Sequence, residues 1–383
     1  MRRTAGYCKP VAAVSDTFSP DRTCLQEVSM SGSMVSSASP ALPDPSPGLE
    51  ATIADGAALP VLDLGPYLAG ESGAADQLAA DIRAIQIGLG FYAVINHGIP
   101  TDCIAGAEAA TRQLFRQPRA ELDRYRGGYH LQGYWPPAST GNPDGEFADE
   151  AEKVGSLAGW AFLRDRAEEA EEVRAGLRHR IPNRWPAPSL APGFREALTT
   201  YQRAMVELGM KLVPVYALAL GLDRDVFAPW FRMPEWYQRC NYYRGGAAEP
   251  GSIATVAHID HSFLTLLPMS TVPGLEVRTH GNRWMPVSFV EGAIIVNTGE
   301  WLNLLSNGLF RATPHRVTEP ASERITLPLF LDPDDAMPDN VLTIVADAGG
   351  DAAARPGTPR TFHQHFVRYL SSHYTPEPAG TSS

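Results

Sequence analysis

Beyond Gly221 the chain breaks into short apolar or β-branched runs, ATVAHIDHSFLTLLP, LEVRTH, WMPVSF, AIIVNTG, RVTEP and RITLPLFLDP, separated by Gly, Asn and Pro. Closely spaced short strands of this kind can bury their inner faces only against one another, as a sandwich or barrel. Upstream the periodicity is mostly helical. AADQLAADIRAIQIGLG repeats Leu78, Ile82, Ile85 and Leu89 at helical spacing and stops at Gly90. AGAEAATRQLFRQPRAEL predicts a second helix, and a long amphipathic one runs through Leu198, Tyr201, Met205, Leu208, Leu212, Val215 and Leu218, with a break expected at Pro214. LPVLDLGPYL and FYAVINHGIP predict strands, GGYHLQGYWPPASTGNPDGE a long loop, and RTFHQHFVRYLSSHY a closing helix. The fold class expected is mainly β with flanking helices around one core.

Composition excludes several partners. The 383 residues carry a net charge of −11 without a basic block, so a nucleic-acid partner is not expected. Cys8, Cys24, Cys103 and Cys240 are scattered without zinc-ligand or disulfide spacing, which suits a reducing cytoplasm. Residues 1–57 and 376–383 are expected to be a disordered leader and tail. The leader is rich in Ser, Pro, Thr and Ala, lacks a signal-peptide core, and contains Met30 and Met34 as alternative starts. No run reaches membrane-span length. Oligomeric state is not legible.

Within TVAHIDHSFLTLL, residues two apart on a strand share a face, so His258 and Asp260 can offer an imidazole and a carboxylate to one ion. His315 in RATPHRV supplies a third candidate. Two histidines and one carboxylate, leaving cis positions free, suit a non-haem Fe(II) centre. In RITLPLF, Arg324 and Thr326 share a strand face and offer a guanidinium fork and a hydroxyl to a carboxylate. Asn241 and Tyr243 in RCNYYRGG have the same spacing and could bond another part of the same small diacid.

The ordered set NYY, HID, GLEV, W-x-P-V, VNTGE-x-L, NG-x-x-RATPHRV and R-x-T-LP-x-F resembles the isopenicillin N synthase-like Fe(II)/2-oxoglutarate dioxygenases, and LPVLDL and GFYAVINHGIP resemble that family's N-terminal region. The resemblance runs from about Leu59 to Tyr369. It implies a double-stranded β-helix, a cupin-like jelly roll, over 221–375, preceded by a mixed helix and strand region over 58–220. It further implies His258, Asp260 and His315 as catalytic iron ligands, with Arg324, Thr326, Asn241 and Tyr243 binding 2-oxoglutarate. Such an enzyme consumes 2-oxoglutarate and O2, releases succinate and CO2, and hydroxylates, desaturates or cyclises a small molecule, here in specialised metabolism. The family's R-x-S is R-x-T here, which keeps the hydroxyl. RGGAAEPGS replaces the usual proline-rich continuation after N-x-Y. An Fe(II) oxidase that needs no oxo-acid and a catalytically silent ligand-binding member are the alternatives.

Other residues carry weaker expectations. His261 falls on the face opposite Asp260 if the strand continues, and is read as a structural or pocket-rim histidine. His97 is read as structural, Trp301 as core and Arg316 as one half of a structural ion pair. Glu300 is no iron ligand, because the triad is already complete. Tyr129, Tyr134 and Trp135 in the long loop, with Phe263 and Phe330 near the metal and co-substrate strands, are candidates to line a substrate pocket.

Overall fold

A computed structural model describes residues 41–137, 157–246, 252–339 and 360–373, all within one compact unit spanning residues 35–383. Residues 1–40, 138–156, 247–251, 340–359 and 374–383 lie outside the described residues, and with them most of the expected leader, part of the expected loop and of the rim after N-x-Y, and all of the expected tail.

The N-terminal half alternates helices and strands: α1 (Leu49–Asp55), β1 (Val61–Asp63), α2 (Gly65–Leu68), α3 (Ala74–Gly88), β2 (Phe91–Ile95), α4 (Thr101–Phe115), α5 (Arg119–Asp123), β3 (Gly133–Trp135), β4 (Leu157–Leu163), α6 (Glu171–Arg174) and α7 (Phe194–Ala219). Strands then dominate: β5 (Glu235–Tyr243), β6 (Ile253–His258), β7 (Leu264–Pro268), β8 (Leu275–Arg278), β9 (Trp284–Pro286), β10 (Ile294–Thr298), α8 (Glu300–Leu305), β11 (His315–Thr318), β12 (Arg324–Thr326), β13 (Leu329–Asp332) and α9 (Phe362–His373).

These strands form two sheets. The larger runs β1-β2-β10-β7-β13-β5-β4-β3, with β12 also pairing β5, and the smaller runs β6-β11-β8-β9. Tyr243, Phe91 and Ile295 from the larger sheet pack against Ala254, Val277 and Val317 from the smaller, so the inner core of the jelly roll sits between the two. The outer face of the larger sheet is covered by helices. On α7, Leu198, Met205, Leu208 and Leu212 are buried, and each side chain so buried contributes roughly 1.5–3 kcal/mol. Gly209 lets that helix lie close, because a Cβ there would stand 2.7 Å from Leu331 of β13.

Three expectations require correction. Helix α7 continues through Pro214 without a break, its buried face holding it to the sheet across the lost hydrogen bond. Leu49–Asp55, expected in the leader, is helical, and Leu49 and Ile53 pack into the cores. The long loop contains strand β3, whose three residues pair with Gly159–Ala161 of β4. Strands from before and after residue 220 share the larger sheet, since β2 pairs with β10, and β4 pairs with β5 along seven positions.

Candidate metal centre and oxo-acid pocket

Sheet pairing creates the cluster. His258 ends β6, His315 begins β11, and the two are directly opposed in the antiparallel register. Asp260 reaches the same point from the segment just after β6. Its Oδ1 lies 3.7 Å from His258 Nε2 and 3.5 Å from His315 Nε2, and the two rings are 4.3 Å apart. All three candidate ligand atoms lie within 4.8 Å of one another.

Each ligand is held by its other polar atom. His258 Nδ1 lies 2.8 Å from the Val256 carbonyl and His315 Nδ1 3.2 Å from that of Thr313, contacts in which only the imidazole can donate. That fixes the Nδ1–H tautomer in the neutral rings and leaves both Nε2 lone pairs facing Asp260. Asp260 Oδ2 accepts from Thr265 Oγ1 at 2.6 Å and Asn297 Nδ2 at 2.8 Å, which turns Oδ1 toward the histidines. Thr265 spends its one proton there, so Ser262 Oγ donates to Thr265 Oγ1 at 2.9 Å. Burial alone would raise the Asp260 pKa; His315, His258 and the two hydrogen bonds outweigh it and hold the carboxyl below its ordinary value.

This donor set fits a first-row divalent cation. Two imidazole nitrogens and one carboxylate oxygen, each fixed in direction by a further partner, leave other positions open.

The expected co-substrate residues also meet across a strand pair. In the β12–β5 register Arg324 faces Tyr243 and Thr326 faces Asn241, so both two-residue motifs lie side by side. Asn241 Nδ2 donates to Thr326 Oγ1 at 3.3 Å, and Arg324 Nε donates to the Val272 carbonyl at 3.0 Å. Arg324 is only 4% exposed, and among the described residues neither its Nη1 nor Asn241 Oδ1 has a hydrogen-bond partner. Burial lowers the guanidinium pKa from its ordinary value, with Tyr243 opposing. An orphaned donor on a buried cation fits a carboxylate, which would restore the missing bond.

Both groups line one cavity between the two sheets. Among the proposed substrate residues Phe330 lines it, and Tyr129, Tyr134, Trp135 and Phe263 do not. Tyr129 is exposed beneath the guanidinium of Arg178. Tyr134 packs on Phe115 and Trp160, while Trp135 Nε1 donates to the Leu131 carbonyl at 2.7 Å. Phe263 is fully buried among Tyr216, Phe227 and Phe231. Because β6 stops at His258, the chain turns and His261 faces the cavity, its Nε2 3.3 Å from Asp332 Oδ2.

The remaining readings concern structure. His97 accepts from Ile99 N–H at Nδ1 and donates from Nε2 to the Gly292 carbonyl. Arg316 pairs with Glu276 at 2.8 Å, and Trp301 is fully buried. The Glu300 carboxylate lies near His365 and Arg368 and is not among the clustered ligand atoms, while its N–H donates to the Asp260 carbonyl at 2.6 Å. Thr265 and Asn297 were not among the expected site residues. Their signal was a polar side chain inside an otherwise apolar strand, which needs a buried partner.

Residues 234–333 match the family model described as the 2OG-Fe(II) oxygenase superfamily, and residues 59–188 the model described as the N-terminal region of non-haem dioxygenases in morphine synthesis. Gibberellin 20 oxidase 2 of Oryza sativa subsp. indica is 27% identical over 332 residues, 82% of this chain and 76% of the relative. Flavonol synthase 1 of Crocosmia x crocosmiiflora is 27% identical over 286 residues, 72% and 76% of the two chains. Among solved structures, a 2OG-Fe(II) oxygenase family protein of Caulobacter crescentus matches with a TM-score of 0.70 at 22% identity, covering 82% of this chain and 99% of that one. A full-length Neurospora crassa protein solved in complex with alpha-KG matches with a TM-score of 0.70 at 19% identity, covering 83% and 97%. Fold and site together define a non-haem Fe(II)- and 2-oxoglutarate-dependent oxygenase that uses O2. The chain belongs to the 2OG-Fe(II) oxygenase superfamily, in its isopenicillin N synthase-like branch.

Proposed function

We propose that His258, Asp260 and His315 hold Fe(II), that Arg324 and Thr326 take the distal carboxylate of 2-oxoglutarate, and that Asn241 and Tyr243 flank that co-substrate while a small molecule of specialised metabolism is oxidised. One observation carries the reading. Every atom that would ligate metal is aimed by a second bond, whereas the buried Arg324 Nη1 across the same cavity has no partner among the described residues.

Bound iron supplies the oxidising chemistry, driven by oxidative decarboxylation of 2-oxoglutarate to succinate and CO2. The chain's own contribution is placement. Arg324 anchors one end of the oxo-acid, and the short β12–β5 pairing keeps Asn241 and Tyr243 beside it. Leu157, Leu267 and Val317 in the lining exclude water around these charges and so strengthen each contact. No described helix is long and apolar enough to cross a membrane.

The test is release of labelled CO2 from 1-labelled 2-oxoglutarate by the Fe(II)-loaded protein in air. Labelled CO2 together with succinate is expected. Iron-dependent O2 consumption without succinate would instead assign the oxidase that needs no oxo-acid.

A further inference from the structure

Asp260 is held through its backbone as well as through its side chain. Strand β6 pairs with β11 only as far as His258, so the carbonyls of Ile259, Asp260 and His261 have no strand partner, although Asp260 and His261 are buried. Such carbonyls need donors from elsewhere. Two helices supply them.

The first is α8, whose opening N–H groups have no acceptor within their own helix. Glu300 N–H donates to the Asp260 carbonyl at 2.6 Å, and Trp301 N–H to the His261 carbonyl at 3.2 Å. Gly299 permits this approach, because a Cβ there would stand 2.2 Å from the Ser262 carbonyl oxygen. The second helix is α9, which uses side chains. Tyr369 Oη donates to the Ile259 carbonyl at 2.7 Å, and His365 Nε2 to the His261 carbonyl at 3.1 Å, a contact in which only the imidazole can donate. The two side chains lie one turn apart on α9 and so share a face, which lets them hold the carbonyls on either side of that of Asp260. Burial docks the helix in this position. Phe362, Phe366 and Leu370 join the core, His365 is fully buried, and Trp301 of α8 meets both the Phe362 and His365 rings, with centroids 5.5 and 5.1 Å away.

We propose that Tyr369 and His365 are positioning residues of the metal centre, fixing through the Ile259 and His261 carbonyls the path of the chain that delivers Asp260. The proposal rests on the Fe(II) reading of the cluster and adds the C-terminal helix to what builds it. Thr265 and Asn297 aim the carboxylate, but hydrogen bonds to a side chain place Oδ1 only when the backbone beneath it stays put. Loss of either α9 donor frees a peptide unit to turn, and Asp260 turns with it.

The test titrates the full chain, freed of metal, with Fe(II) under argon by calorimetry, with denaturant midpoints measured alongside. Tyr369→Phe removes one hydroxyl and should weaken Fe(II) binding by about 10-fold, the lower range for partners that orient ligands. His365→Leu should weaken it as much, and His365→Gln, whose amide can donate to the same carbonyl, should restore most of the loss. A merely structural role would lower the denaturant midpoint and leave Fe(II) affinity alone. Fe(II) affinity within about twofold of the unsubstituted protein in folded Tyr369→Phe would therefore overturn the proposal and leave the oxygenase reading standing. So would a folded His365→Gln that binds Fe(II) no better than His365→Leu. The two positions are probed independently, so a variant that fails to fold at one leaves the other to decide. Absence of Fe(II) binding by the unsubstituted protein would overturn both the proposal and the reading it rests on.

Discussion

The two ends of the cavity treat polar atoms in opposite ways. At the metal cluster the non-ligating atoms are all partnered: both Nδ1 atoms meet carbonyls, and Asp260 Oδ2 accepts two hydrogen bonds. At the oxo-acid end the buried Arg324 Nη1 and Asn241 Oδ1 have no partner among the described residues. The first end is preorganised by the protein alone, so its geometry should survive without ligand. The second carries a desolvation cost that a bound carboxylate offsets. Removing a residue at one end should therefore leave the other end working.

The largest expected effect is that of Asp260→Ala. Losing the only carboxylate of the cluster should reduce iron affinity by more than about 100-fold and abolish turnover, as metal content after dialysis would show. Arg324→Met should weaken 2-oxoglutarate binding by about 2–3 kcal/mol, or on the order of 30- to 160-fold, while iron content stays unchanged. An equal loss of iron would erase the separation between the two ends.

Asn297→Ala sharpens the comparison, because it touches only the aim of Asp260. Iron affinity should fall by about 10-fold, the lower range for partners that orient ligands. Calorimetry with Fe(II) under argon reads this directly, and wild-type affinity would show that Thr265 alone aims the carboxylate.

Acid should act on stability away from both ends. Burial, reinforced by nearby arginines, lowers the His179 pKa from 6.5 to about 3, and burial with His261 nearby lowers that of His365 to about 3. The unfolded chain takes up these protons first, so stability is lost as pH falls below 6.5, by about 1.4 kcal/mol per pH unit per imidazole until about pH 3. His179→Asn, which suits the left-handed backbone there (φ 65°), should lower proton uptake on unfolding by about one. Denaturant midpoints from pH 7 to 4 give the slope. The smallest effect at the metal is that of His261→Ala. Iron affinity should stay within about twofold, while Asp332 loses a buried partner at a cost of about 1–3 kcal/mol in stability.

Much of this arrangement was legible because chemistry-bearing residues sat at two-residue spacing in short strands. Asn241 with Tyr243 and Arg324 with Thr326 do share strand faces, and the register that sets them opposite one another appears only in the fold. His258 and Asp260 converge for a different reason from the expected one, since the strand ends at His258 and Asp260 lies beyond it. That early end also explains His261, which faces the cavity because the alternation stops. The aromatic residues of the expected loop failed as pocket residues for want of a visible partner. Tyr134 and Trp135 pair with Trp160 and Gly159, distant in sequence, and no local pattern signals that strand pairing. Phe263 failed differently, since an aromatic next to metal-strand residues can as readily turn into the core.

The central claim is that one end of the cavity holds Fe(II) and the other receives a 2-oxo acid that reaches it. Anaerobic titration of the Fe(II)-loaded protein with 2-oxoglutarate tests it most directly. A weak visible charge-transfer band is expected that saturates with 2-oxoglutarate, is absent in Asp260→Ala, and requires far higher concentration in Arg324→Met. Iron demonstrably bound with no band at any 2-oxoglutarate concentration would contradict it.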